Sequence, residues 1–300
     1  MPVDAVSLGY WQDRDPLEAL ETARLADELG YRELWLGEMA TFDAFALATA
    51  VGLASSSLEL AVGPLAVAVR DPAMLAMGVA SVASLTGRPV HLAIGTSSPV
   101  VVGGWHGRDA SGGARRLRET AAALRPLLAG ERGPGGYRLR LPAPGSSLTV
   151  AAFGPAAVRV AVDLADRMVL NLCTPAATAR LRAAAPDVRL AAWVPVAVDP
   201  DDEAIEQLRR GLVSYVAAPG YGEMFAEAGF GDVVSLARSG VRAAEVLAAI
   251  PRELVEAIAA VGDAATCRAW LEALAVDEVV VVPATAGDPG GKRTLEALRP

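Results

Sequence analysis

The run Gly95-Thr96-Ser97-Ser98-Pro99, followed by Gly103-Gly104-Trp105-His106-Gly107, sets an aromatic ring and a titratable ring at the end of a string of small residues. Small side chains let a flat ligand approach the backbone. An imidazole exchanges protons near neutral pH, so His106 is a candidate to move one. A glycine-rich connection carrying a solvated histidine is the plain alternative. Glu38 closes an apolar run, Glu33 to Gly37, and either anchors the next helix as an anion or contacts a ligand. His91 lies inside another apolar run, where a hydrogen-bonded structural role is expected.

Three further features could shape a ligand site. Gly63-Pro64 interrupts an apolar run, and X-Pro is the one bond at which a cis peptide is cheap, so a kink is expected there. Phe153-Gly154-Pro155, and Asn171 through Thr174-Pro175, read as two neighbouring helix starts. Free N–H groups and a positive dipole end at such starts attract a phosphate, unless the helices are simply capped. Arg115, Arg116 and Arg118 could meet an acidic ligand, or form a solvated helix face. No Gly-x-Ser-x-Gly elbow, phosphate-binding P-loop, His-Glu-x-x-His or Gly-x-Gly-x-x-Gly fingerprint occurs in a suitable context. With His91 and His106 the only imidazoles, and Cys173 and Cys267 far apart, neither a histidine-rich metal site nor a disulfide framework is expected.

The elements that must hold these residues alternate. Strand-like runs are expected at Val3 to Leu8, Glu33 to Gly37, Leu58 to Val62, Val90 to Ile94, Leu148 to Ala152, Arg167 to Leu170, Leu190 to Val198 and Glu278 to Val282. Helical runs separate them, and five open on X-Pro steps: Asp15-Pro16, Asp71-Pro72, Gly154-Pro155, Thr174-Pro175 and Asp199-Pro200. Proline at the first helical turn loses no hydrogen bond, because that N–H lacks a partner anyway. Eight strand–helix units in 300 residues predict an α/β fold, a (β/α)8 TIM barrel whose active site lies where strands end and helices begin. Residues 1–300 are expected to form one domain. Two stretches exceed the barrel's needs: Gly130 to Ser147, a loop or short hairpin, and an insertion at about 200–276 after strand seven, expected over the barrel mouth as a lid or substrate wall.

A composition of 53% hydrophobic residues supplies an ample core. The net charge of −8 argues against a nucleic-acid partner. Lys292 is the sole lysine among 27 basic residues, so arginine must handle any anion. The first residues carry no basic stretch followed by an apolar one, and no uncharged run is long enough to span a bilayer, which predicts a cytoplasmic protein without a membrane partner.

With these residues in place, the chain resembles the luciferase-like flavin and deazaflavin oxidoreductase superfamily, in its coenzyme F420-dependent branch. The resemblance rests on Leu34-Trp35-Leu36-Gly37-Glu38, the Gly95 to Pro99 and Gly104 to Gly107 stretches, Ala151-Ala152-Phe153-Gly154-Pro155, and the closing segments Glu253 to Asp263 and Asp277 to Val280. It implies a cofactor ring across the barrel mouth, backed by a strand-three bulge at Gly63-Pro64. Ring contacts would fall on Glu38, Met39, Thr96, Ser97 and Ser98, and phosphate contacts on Ala152, Phe153, Gly154 and Asn171. Met39 and Ser98 stand where the sugar-phosphate dehydrogenases of this branch carry a histidine and a glutamate, so sugar oxidation of that kind is not expected. The expected activity is hydride transfer between F420 and a small organic substrate, with His106 first and Glu38 second as proton carriers. Trp105, Tyr221 and Phe225 would line the substrate side or pack beneath a lid. An FMN-dependent monooxygenase and a cofactor-binding barrel without catalysis are the alternatives. A homodimer is expected, as family members are commonly dimers.

Overall fold

The computed structural model describes residues 3–300. Eight parallel strands, β1 Ala5–Ser7, β2 Glu33–Leu36, β3 Glu59–Ala66, β4 Val90–Gly95, β5 Leu148–Ala151, β6 Arg167–Asn171, β7 Arg189–Val198 and β8 Glu278–Pro283, close into a barrel in which β8 pairs back onto β1. Strands buried on both faces read as continuous apolar runs, which is why their positions match the sequence reading so closely. Strand three differs: it continues through Gly63-Pro64 rather than ending there. Pairing to β4 breaks between Val62 and Leu65 and resumes at Ile94 and Gly95, with a cis peptide at Gly63-Pro64.

Helices α1 Glu18–Glu28, α2 Ala44–Ala54, α3 Pro72–Thr86, α4 Gly113–Leu128, α5 Pro155–Leu164, α6 Pro175–Ala184 and α7 Asp202–Val216 follow the first seven strands. Pro72, Pro155 and Pro175 open their helices as expected, whereas Pro16 and Pro200 stand two residues ahead of theirs. After α7 come α8 Tyr221–Phe225, α9 Gly231–Arg238, α10 Ala243–Ala249, α11 Arg252–Glu256 and α12 Ala264–Glu272, and α13 Lys292–Leu298 closes the chain. A short strand, Ala260–Gly262, pairs with the far end of β7 and was not foreseen. The Gly130 to Ser147 stretch forms a small hairpin through an Arg132–Arg138 bridge.

Inside the barrel the side chains form layers, because every second residue of a strand points inward. The middle layer is small apart from one ring: Ala5, Trp35, Ala61, Ala93, Val169, Ala191 and Val280, with Ala151 packed against them. One step toward the strand starts, on the same faces, lies a buried charge layer. Arg167 donates to Glu33 at 2.9 and 3.0 Å and to Glu278 at 3.0 and 3.1 Å, and its guanidinium lies 4.4 Å from the Trp35 ring. Burial pushes the Glu278 carboxyl up to about 7, with Arg167 pulling the other way. For Glu33 burial acts in the same sense, but Arg167 prevails and the net shift is downward. His91 Nδ1 accepts from the Ser147 N–H at 3.1 Å, and burial lowers its pKa, which is the structural role expected of it.

Candidate functional site

At the strand exits the inward positions turn small. Gly37 follows β2 and Gly95 ends β4, and a side chain at Gly95 would crowd Ala151 and Pro64. Among the described residues, the non-glycine residues in the left-handed region are Ser97, Leu172 and Asp199, which follow β4, β6 and β7. Backbone held in this sparsely populated region gathers at functional sites, and here all three examples fall at one end of the barrel.

Glu38 leaves β2 into a fixed set of contacts. Its carboxylate accepts from the Arg70 guanidinium, with one bond at 3.2 Å, and from the Ala44 N–H at 3.2 Å. Arg70 also pairs with Asp43, which caps α2 by accepting from Phe45 and Ala46 N–H. Met39 beside it is 37% exposed. Tyr10, from the β1 exit, stands close enough to Glu38 that burial and this negative charge both raise the pKa of its phenol.

The β4 exit carries the predicted ring-contacting residues. Thr96 is half-buried, and Ser97 and Ser98 are exposed. Ser98 accepts from the Val101 N–H at 3.3 Å, the start of a wide helical turn, Val100–Trp105, where a plain loop was expected. The turn leaves Trp105 44% exposed and His106 exposed next to it. Arg116 donates to the Asp109 carbonyl at 3.1 Å and Arg118 pairs with Asp163 across the surface, so this part of the arginine cluster is an outward helix face.

The β5 and β6 exits differ from each other in a way the sequence left open. At α6 the Thr174 side chain accepts from the Ala177 N–H at 3.2 Å, so that helix start is capped and buried. At α5 Gly154 offers no cap, is exposed, and has open space where a side chain would stand. Ala152 N–H is committed to the Val169 carbonyl at 3.3 Å, while among the described residues the Phe153 and Gly154 N–H groups have no backbone partner. One helix start, with free amides, is therefore open to an anion instead of two.

Phe153 is stacked under Tyr221 of the insertion, with centroids 4.8 Å apart, and Tyr215 meets Tyr221 edge-on at 5.1 Å. The Asn171 side chain faces both phenols, whose pKa values burial raises. Phe225 is fully buried and lines nothing. Cys173, next to this cluster, is a buried thiol whose pKa is pushed up to about 12.

Four mouth residues escaped the sequence reading: Tyr10, Asp43, Arg70 and Trp193. Tyr10, Asp43 and Arg70 follow three different strands and Trp193 lies within β7, so spacing could not join them, although Trp193 shares the inward parity of Ala191. Two surface clefts, of about 360 and 340 Å³, lie elsewhere. One is lined by Arg125, Pro144 and Asp166, and the other by Met77, Tyr137 and Leu141. They sit off the strand exits, where the residues named above give no chemistry.

Known proteins share this frame. A relative of Mycobacterium tuberculosis that carries the provisional name of a coenzyme F420-dependent oxidoreductase is 25% identical, over 98% of this chain and 97% of its own. The F420-dependent tetrahydromethanopterin reductase of Methanopyrus kandleri superposes with a TM-score of 0.78 at 18% identity, covering 99% of this chain and 97% of the reductase. An F420-dependent secondary alcohol dehydrogenase, bound to an F420–acetone adduct, gives 0.75 at 15% identity, with both chains covered completely. The FMN-bound oxygenating component of a diketocamphane monooxygenase from Pseudomonas putida gives 0.72 at 16% identity, covering 100% and 97%. The profile of the luciferase-like monooxygenase family matches residues 5–280, and the chain, built on that family's barrel, belongs to it.

Proposed function

We propose that this protein is an F420-dependent oxidoreductase that moves a hydride between the deazaflavin and a small organic substrate at the barrel mouth. The observation that carries the reading is the uncapped α5 start, whose free Phe153 and Gly154 amides lie one strand from the Thr96, Ser97 and Ser98 hydroxyls. Backbone amides at a helix start suit the phosphate of a cofactor, and the small β4 exit suits its ring. Bound there, the deazaflavin supplies the hydride chemistry. The chain's own tasks are to orient, to keep water out and to move one proton. Met39, Gly63 and Pro64 back the ring, Asn171 and Ala152 shape the phosphate end, and the insertion closes over the site through Tyr221.

His106, exposed and with no partner for its ring among the described residues, is the proposed proton carrier. Glu38, held by Arg70 and Ala44, fixes the mouth as an anchor. The FMN monooxygenase reading is favoured by the Pseudomonas neighbour's bound FMN. Equilibrium titration separates the two: F420 should bind and FMN should not, and purified protein carrying FMN would overturn the proposal. Tight F420 binding without turnover across a broad substrate panel would favour a carrier instead.

The proposed partner is a second copy of the chain. Leu53 on α2 and Met74, Met77 and Leu85 on α3 leave a broad apolar surface exposed, which a dimer would bury. Sedimentation velocity should return twice the mass of one chain.

A further inference from the structure

Backbone amides bind an anion only as well as they are held. Phe153 and Gly154 sit on the turn from β5 into α5, and Gly154 adds nothing to steady it: it offers no cap, and nothing lies within 4 Å of where a side chain would stand. Glycine is the residue with the most backbone freedom to lose. The hold comes from the Phe153 side chain. Its ring lies under Tyr221 of α8, with centroids 4.8 Å apart and planes 20° from parallel, a stacked arrangement that attracts two rings beyond their burial. Gly220 makes the contact possible, because a side chain there would stand 2.9 Å from the Phe153 ring and its φ of +85° suits glycine.

Tyr221 is itself fixed. Tyr215 of α7 meets it edge-on at 5.1 Å, and the Asn171 side chain at the β6 exit faces both hydroxyls. Just before it, the Gly220 N–H donates to the Glu223 carboxylate at 2.5 Å, and farther along the insertion Glu227 pairs with Arg180 of α6 at 2.8 Å. An element anchored on β6, α6 and α7 thus grips the residue that carries one of the two free amides. Donors held in place before a ligand arrives spare it the cost of ordering them. We propose that Tyr221 is a positioning residue, whose stack on Phe153 holds the Phe153 and Gly154 amides in place for the phosphate of the cofactor. The insertion then serves the phosphate end of the site as well as the substrate side. The inference rests on the phosphate role given to α5 in the proposed function.

The test compares two ligands on full-length protein: F420, and the deazaflavin alcohol that lacks the phosphate and all that follows it. Tyr221→Leu removes the stack and keeps an apolar side chain, whereas Tyr221→Phe keeps the stack and removes only the hydroxyl. Equilibrium titration should show F420 bound about tenfold more weakly by Tyr221→Leu, the worth of fixing one residue's backbone, with the phosphate-free ligand unchanged. Tyr221→Phe should bind both ligands as wild type does. Phe153→Leu, at a half-buried position, breaks the same stack from the other side and should match Tyr221→Leu, and the double variant should lose no more than either single one. Wild-type F420 affinity in Tyr221→Leu and Phe153→Leu overturns the inference, as does an equal weakening of both ligands, which a merely structural role would give. So does a loss in Tyr221→Phe as large as that in Tyr221→Leu, which would assign the effect to the hydroxyl. Wild-type protein that binds the two ligands alike would overturn the phosphate site of the proposed function itself, and this inference with it.

Discussion

At the residue scale, Gly154 separates two effects that usually travel together. It stands at the N-cap of α5 with extended backbone, φ −79° and ψ 157°, and open space around its missing side chain. Aspartate is among the best residues at an N-cap, so Gly154→Asp should leave stability unchanged or raise it by a few tenths of a kcal/mol. The same carboxylate would occupy the amides proposed for the phosphate and repel it. F420 affinity should therefore fall at least tenfold while the thermal midpoint holds, and Gly154→Asn, with a neutral cap, should lose less. Calorimetric titration of both variants checks this. Equal affinity in Gly154→Asp and wild type would dismiss the phosphate role of α5. Glu38 carries the complementary lesson. A carboxylate at a strand exit reads as chemistry, but Arg70 and Asp43, which turn it into an anchor, arrive from β3 and α2 and could not be placed beside it by spacing.

At the element scale, the bulge in β3 fixes where the mouth opens. Gly63 adopts φ +118°, and a side chain there would stand 2.1 Å from the Ala93 carbonyl oxygen of β4. Both the backbone and the neighbouring strand demand glycine. Gly63→Ala should cost roughly 3 kcal/mol or more, from the left-handed backbone and the clash together. Urea unfolding would show it as a lower midpoint with an unchanged slope, and a midpoint equal to wild type would refute this view of the bulge. The strands themselves were legible because each is buried on both faces, and the starts of α3, α5 and α6 because proline marks them. The Ala260–Gly262 strand and the Val100–Trp105 turn were not. The strand is three residues beside an already complete barrel, and the turn is built from Val-Val-Val-Gly-Gly-Trp, which carries no helical period. Site residues were partly legible for the same reason: the β4 and β5 exits announce themselves with glycine and proline, whereas Tyr10 and Trp193 look like ordinary core aromatics until the barrel closes.

At the scale of the whole molecule, the barrel is asymmetric. One end of its lumen is lined by glycine and free donors, and the other is filled by Glu33, Arg167 and Glu278, with Arg189 3.2 Å and Arg32 3.8 Å from Glu278, and His91 and Glu59 at the edge. Chemistry belongs to the open end, and the charged end governs stability. Two carboxylates on one buried arginine cannot both ionise freely, and burial puts the remaining proton on Glu278 up to about pH 7, against 4.5 for an ordinary glutamate. The folded state then holds a proton that the unfolded chain has lost, so the stabilising contribution is complete below pH 4.5 and disappears as pH rises through about 7. At about 1.4 kcal/mol per unit, the amount at stake is on the order of 3 kcal/mol. His91 works in the opposite sense, because its lowered pKa adds stability as pH rises toward its ordinary 6.5, and Glu33, also lowered, completes its gain by 4.5. Glu278→Gln removes only the first of these and keeps a neutral partner for Arg167. The stability of wild type minus that of Glu278→Gln, from urea unfolding, should therefore decline across pH 4.5 to 8 and level off above. A difference that stays constant over this range would mean that Glu278 is ionised throughout, and that the three arginines, not a shared proton, balance the closed end of the barrel.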